Sequence, residues 1–267
     1  MIRVYSIAFN RVDLLPEQVR AFRRNLVEPH EIVVINNGTA RLGRQFSRAS
    51  RRLGVRVDRV EQPNHSTVNY SHARAIEFAC ERFVSTDDDV SLIVDCDCFP
   101  YRRFSAHGLL AGAAMAGIAQ VRESGDGRRV HYLAPSLLVL DLPKLPQPES
   151  LSFWPDRVDG IACDVGGHVW EYWRRHPQLR VRHLEQAYLE VGDARLLVEI
   201  FGGTFIHYLG GSNWDNQPQA THVTKTEWVV STLGAGADRA AELPGSPDAG
   251  EVITVGSLFR SRAQAGQ

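Results

Sequence analysis

The sequence predicts an α/β protein: a mainly parallel sheet flanked by helices. Three observations carry this. Short β-branched runs alternate with amphipathic segments through the first hundred residues, and polar turn residues close each run. The chain has 267 residues, 43% hydrophobic and 23% charged, enough to bury a sizeable core.

Arg3–Phe9 (RVYSIAF) is the first strand. Pro16 near a helix start, then Val19, Phe22 and Leu26 at helical spacing, mark the first helix. Glu31–Asn36 (EIVVIN) is the second strand, stopped by the turn signal Asn37-Gly38. Leu42, Phe46, Ala49 and Leu53 form one face of the second helix, with Arg44, Arg48 and Arg51 outside it. Val55–Glu61 is a third strand ended by Pro63-Asn64, and Ala73, Ile76, Cys80 and Phe83 mark a third helix. Ser91–Phe99 (SLIVDCDCF) reads as the fourth strand. Right-handed crossovers would join these strands, and ligands of such sheets gather beyond their carboxyl ends. Those ends are polar: Phe9-Asn10, Asn36-Asn37, Gln62–Asn64 and Asp95–Asp97.

The second half changes character. Ile118–Glu123 and Val130–Leu140 flank Ser-Gly-Asp-Gly and predict a hairpin. Lys144–Ser150 reads as a connection, Val165–Arg175 as a helix burying Val169, Trp170 and Trp173, Thr204–Leu209 as a strand and Thr224–Leu233 as a short helix. From Gly234 onward Gly, Ala, Pro and Ser dominate, which predicts a flexible tail or lid over 234–267. No repeat or boundary between independent domains is visible.

Thirty basic against thirty-one acidic residues give a net charge of −1, which argues against a general grip on nucleic acid or an anionic membrane and leaves room only for a local basic patch. Of the basic residues only Lys144 and Lys225 are lysines. The opening MIRVYSIAFNRVD reads as a strand rather than a signal peptide, and no run approaches the roughly 20 apolar residues of a membrane span. Cys80, Cys96, Cys98 and Cys163 are too few and too uneven for a disulfide framework, so reduced thiols and a cytoplasmic location are expected. Cys96-x-Cys98 lacks the second ligand pair of a zinc site. The sequons at Asn37 and Asn64 read as chance matches.

The most informative segment is Leu92-Ile-Val-Asp95-Cys-Asp97-Cys-Phe-Pro100. Successive side chains in a strand point to opposite faces, so Asp95 and Asp97 share a side and Cys96 and Cys98 take the other. Two close carboxylates repel unless a cation or proton lies between them, and at the carboxyl edge of a parallel sheet a hard divalent cation is the natural partner. Solvated turn acids are the plainer reading. Asp87-Asp88-Asp89, a rival cluster, falls at the amino edge and reads as a solvated loop.

The order of strands and helices with a strand-terminal Asp95-x-Asp97 resembles the GT-A fold glycosyltransferases, particularly the family 2-like enzymes. Asn64–Ala79 (NHSTVNYSHARAIEFA), leading to Val94-Asp95-Cys-Asp97, is similar to their loop–helix–strand run ending in D-x-D. The resemblance covers about the first 140 residues well and the rest loosely. It implies a GT-A-type, Rossmann-like sheet with residues 1–100 as the nucleotide-sugar-binding half, 101–233 as the acceptor-binding and catalytic half of the same domain, and an Mn2+ or Mg2+ cofactor. By position Phe9 and Asn10 would line the base, Asn36 or Asn37 would hydrogen-bond it, and Asn64 and Arg74 would sit near base or ribose. Turn chemistry accounts equally well for Asn36, Asn37 and Asn64, a surface charge for Arg74, and His72 stays open. Asp97 would reach the ion, with Asp95 on the ion, ribose or water. His207, in an apolar strand opening into Gly210-Gly211-Ser212, is either a satisfied core histidine or a third metal ligand; the glycine loop could cradle phosphate or simply turn.

Asp164 is read in two compatible ways, as a helix N-cap and as the general base that takes the acceptor proton, with Asp156, Asp159 and Glu171 as competitors. The implied activity is transfer of a sugar from a nucleotide-sugar donor to a hydroxyl of a small molecule or glycan, with inversion, since that needs one base and one displacement. Trp154, Trp170, Trp173 and Trp214 are candidates for acceptor walls or for core. The rivals are a nucleotidyltransferase, which needs a glycine-rich basic loop where Ala8-Phe9-Asn10-Arg11-Val12 stands, and a non-catalytic nucleotide-sugar-binding protein. A dinucleotide oxidoreductase lacks its G-x-G-x-x-G there.

Overall fold

Apolar residues alternating along each early strand must be covered on both sides, and the computed structural model shows how. It describes residues 1–61, 67–83, 90–191, 195–210, 218–235, 243–246 and 248–260. Strands β1 (Ile2–Ala8), β2 (His30–Asn36), β3 (Arg56–Arg59) and β4 (Val90–Asp95) run parallel in the spatial order β3, β2, β1, β4. The predicted hairpin is β6 (Met115–Glu123) and β7 (Arg129–Asp141), with β7 antiparallel to β4. Next to β6 lie a parallel β10 (Arg180–Leu184) and an antiparallel edge strand β14 (Gly250–Thr254). The chain therefore has the expected α/β architecture, with one large, mostly parallel sheet.

Side chains one residue apart face opposite ways. Val4, Ile32, Val34, Leu92 and Val94 pack under α1 (Leu15–Asn25), α2 (Gly43–Leu53) and α4 (Ala106–Leu110). Tyr5, Val33, Ile35 and Ile93 pack under α3 (Val68–Phe83) and α5 (Val169–Arg175). Each such side chain, buried, contributes about 1.5–3 kcal/mol, so the alternation fixes the register of β1, β2 and β4. Gly54 ends α2 in the left-handed region, φ 63°.

A second sheet, all antiparallel, is formed by β11 (Gln186–Val191), β12 (Leu196–Phe201), β13 (Phe205–His207) and β5 (Cys98–Pro100). Its Phe99, Ile200 and Ile206 pack with Val229 and Leu233 of α6 (Gln219–Gly234). A short pair, β8 (Asp156–Val158) and β9 (Ile161–Cys163), leads toward α5.

Four expectations are corrected. Ser91–Phe99 is not one strand: β4 stops at Asp95, Cys96 and Asp97 form a turn, and β5 enters the second sheet. The tail is not wholly loose, because β14 pairs with β10 and α7 (Val255–Arg260) follows, with Val255 buried; two carbonyls just before β14, of Asp248 and Ala249, accept from the buried Arg182. Asp164 does not cap α5, which starts at Val169 after an intervening turn. Trp170 and Trp173 are core residues and cannot wall an acceptor site, whereas Trp154 is exposed; Trp214 lies outside the described residues.

Candidate functional site

The carboxyl ends of β1, β2 and β4 open into a cavity of about 310 Å3. Its lining brings together Phe9, Asn37, His72, Asp95, Asp97, Asp164, His207 and Gly210 from the sequence reading, and adds Asn69, Gln120 and Ser136. Asp95, Asp97 and His207 offer ligand atoms all within 4.8 Å of one another.

Local chemistry explains the convergence. At the end of β4, Cys96 N–H donates to the Ile7 carbonyl at 2.9 Å, tying the turn to β1. Buried Gln18 of α1 spans the turn: its Nε2 donates to the carbonyls of Asp95 (2.7 Å) and Cys98 (2.8 Å), while its Oε1 accepts from Ser6 Oγ at 2.5 Å. The two carboxylates thus converge through a braced turn rather than by strand alternation.

His207 arrives from more than a hundred residues away because β13 pairs with β5, placing His207 opposite Cys98. Its Nε2 lies 3.6 Å from Asp97 Oδ1. On β12, Glu199 stands directly opposite His207, and its Oε2 is 2.5 Å from His207 Nδ1. Gln186 Nε2 donates to the other Glu199 oxygen at 2.6 Å. A carboxylate behind the far ring nitrogen orients an imidazole and leaves Nε2 for a cation. Two carboxylates and one imidazole form a donor set that could hold a divalent cation. Glu199 was missed by sequence reasoning; its signal was a lone acid in the apolar run LLVEIF.

Across the turn, His72 Nε2 of α3 lies 2.7 Å from Asp95 Oδ1. Burial pushes His72 down, but Asp95, aided by Asp97 and Asp164, more than reverses this and the imidazole sits above its ordinary value. Burial raises Asp95, yet the His72 charge and hydrogen bond, then His207 and Ser136, hold it below the usual carboxylate value. His207 is likewise lowered by burial and carried above its ordinary value by Glu199 and Asp97. Glu199, raised by burial, ends below its ordinary value because His207 and Gln186 favour its charge.

In β7 the pairing register slips opposite Gly117/Ile118, a bulge that carries Pro135 and Ser136 into the lining. A Cβ on Gly117 would come 2.8 Å from the Leu137 carbonyl, so the bulge needs glycine there. Asp164 lies at the rim, its side chain 43% exposed, with Oδ1 accepting from Val165 N–H at 2.8 Å and Arg122 4.0 Å from Oδ2. Its three competitors do not line the cavity: Arg174 bonds Asp159, His168 meets Glu171, and Asp156 accepts from Arg157 N–H.

The remaining candidates separate. Asn37 is buried in the wall, its Nδ2 3.3 Å from Ser71 and its Oδ1 without a hydrogen-bond partner among the described residues. Asn36 Oδ1 accepts from Gly38 N–H (2.9 Å), and Asn10, at φ 57°, accepts from Thr39 N–H (2.9 Å); both perform turn chemistry outside the cavity lining. Arg74 pairs with Glu81 at 2.7 Å on the exposed side of α3 and is not in the lining. Asn64, Gly211 and Ser212 lie outside the described residues, as does the acidic run at 87–89. No described helix is long and apolar enough to cross a membrane.

No family model matches the sequence, and no curated protein matches it. Among solved structures the chain is similar to S. aureus TarS 1–349 in complex with UDP, at 12% identity over 57% of this chain and 49% of that one, with a TM-score of 0.39. TarS 1–349 in complex with UDP-GlcNAc gives 12% identity over 57% and 48%, TM-score 0.37. The mannosyltransferase PcManGT from Pyrobaculum calidifontis, in complex with GDP-Man and Mn2+, gives 14% identity over 99% of this chain and 79% of that one, TM-score 0.39. The chain spans about half the length of the TarS 1–349 chains it matches.

Proposed function

We propose that the chain is a metal-dependent glycosyltransferase of GT-A type, moving a sugar from a nucleotide-sugar donor to an acceptor hydroxyl with inversion. One observation carries the reading: Asp95, Asp97 and His207 converge at the carboxyl end of the parallel strands, and Asp164 lines the same cavity. Mn2+ or Mg2+ held by Asp95, Asp97 and His207 would supply Lewis-acid neutralisation of the departing diphosphate. Glu199 keeps the His207 ring oriented for that task, and His72 does the same for Asp95.

Phe9 and Asn37 form the nucleobase wall, where the unpartnered Asn37 Oδ1 accepts a base N–H. Asp164, at the open rim, takes the proton of the acceptor hydroxyl as its oxygen attacks the anomeric carbon. The diphosphate leaves from the opposite face with the electrons of the broken C–O bond, so the centre inverts and the proton ends on Asp164. A nucleotidyltransferase is less well supported, because Arg11 in the loop after β1 is buried and engaged by Asp13 at 2.8 Å.

The test is thermal unfolding with nucleoside diphosphates, with and without Mn2+. A ligand at about 100 times its Kd adds about 2.7 kcal/mol of stability. Asp97→Ala should abolish the metal-dependent part of the shift and leave the metal-free melting transition cooperative. Unchanged manganese dependence in that variant overturns the assignment.

A further inference from the structure

We propose that the groove between α2 and the edge strand β3 is a binding site for a multiply charged phosphate ligand, separate from the Asp95–Asp97 cavity. The groove encloses about 470 Å3 and is lined by Arg44, Ser47, Arg48 and Arg51 of α2 and Arg59 of β3. Spacings of four and three residues stack the three helix arginines on one face, and Arg59 closes the opposite wall.

Among the described residues nothing neutralises their charge. All four side chains are exposed, and none has an ion pair or hydrogen bond to a described residue. Asp58, the acid nearest in sequence, is occupied by Arg56 at 2.8 Å and Arg82 at 3.9 Å. Residues 41–59 hold seven arginines against that single acid, in a chain whose net charge is −1. The helix itself contains no acidic residue to relieve like-charge repulsion at four-residue spacing. A bound anion would relieve it.

The chemistry of the site points to phosphate. Guanidinium presents a planar fork that meets phosphate oxygens in pairs, and it cannot be neutralised by deprotonation. From Arg44 to Arg51 the helix rises about 10 Å. That exceeds one phosphate group and matches two or three linked ones. Asn36 lines this groove and Asn37 the cavity, and the two sites share no lining residue.

The experiment is calorimetric titration of sodium tripolyphosphate into metal-free full-length protein, so that no divalent ion contributes. Wild type should bind, more weakly at higher salt because the groups are exposed. The double variant Arg44→Gln/Arg48→Gln should bind about tenfold more weakly or worse, having lost two charge-assisted contacts. Its melting temperature should stay level or rise, since repulsion on α2 is relieved. The pair Arg129→Gln/Arg195→Gln, with the same change in net charge elsewhere, should bind like wild type. A second arm compares co-sedimentation with cardiolipin vesicles, whose headgroup links two phosphates, and with phosphatidylcholine vesicles. Loss of cardiolipin binding in the groove variant supports the site with lipid headgroups as its source; tripolyphosphate binding without vesicle binding supports it with a soluble ligand. Absence of binding to either probe, or equal binding by the groove variant, overturns the proposal.

Discussion

Gln18→Met removes one amide from the interior and tests how the Asp95–Asp97 turn is held. Gln18 is 1% exposed, and methionine has a similar length and volume, so little packing is lost. What disappears is the pair of donors to the Asp95 and Cys98 carbonyls and the acceptor for Ser6 Oγ. A buried polar group deprived of its partner costs about 1–3 kcal/mol, and one that finds a substitute costs less. With three groups affected, we expect a loss of about 2–5 kcal/mol in equilibrium urea unfolding. Gln18→Glu should do no better, because it sets a carboxylate oxygen against two carbonyls. The consequence for the site is separate and measurable: a loosened turn no longer presents Asp95 and Asp97 together, so Mn2+ affinity by calorimetry should fall in any Gln18→Met protein that remains folded. A stability loss under about 1 kcal/mol together with unchanged Mn2+ affinity would refute the bracing role.

Other substitutions separate the remaining roles. Glu199→Gln should keep the fold but lower Mn2+ affinity about 10–100-fold, the usual cost of losing the group that orients a ligating histidine; calorimetry reads it directly, and an unchanged value removes Glu199 from that role. Asp164→Asn retains an oxygen for the Val165 N–H, so melting temperature and nucleotide affinity should hold while transfer falls about 10²–10⁴-fold; wild-type transfer at saturating donor defeats the general-base assignment. Burial holds His183 below its ordinary imidazole value against the opposing pull of Glu251. The unfolded chain therefore protonates first: its contribution to stability is whole above the ordinary value near pH 6.5 and is lost as pH falls toward the depressed folded value. His183→Gln should flatten the melting temperature between about pH 7 and 5, and an unaltered slope argues against it.

Sequence alone determined the layered α/β plan, because alternation and helical spacing are local signals that burial enforces residue by residue. Val4 and Tyr5, or Ile32 and Val33, face opposite layers for no reason beyond the geometry of a strand. It also singled out Asp95, Asp97, His207 and Asp164 as candidates, and all four line one cavity. Tertiary structure decided what these residues meet. The break after Asp95 was invisible because Leu92–Phe99 has the composition of one strand, whereas the turn is held by distant partners, among them Gln18 on a helix some eighty residues earlier and the Tyr208 N–H on the Asp97 carbonyl. Glu199 and His207 meet by strand register, and His207 reaches Asp97 because β13 pairs with β5. Likewise β14 emerges from a tail of weak local propensity, because the open edge of β10 supplies hydrogen bonds that no local pattern encodes.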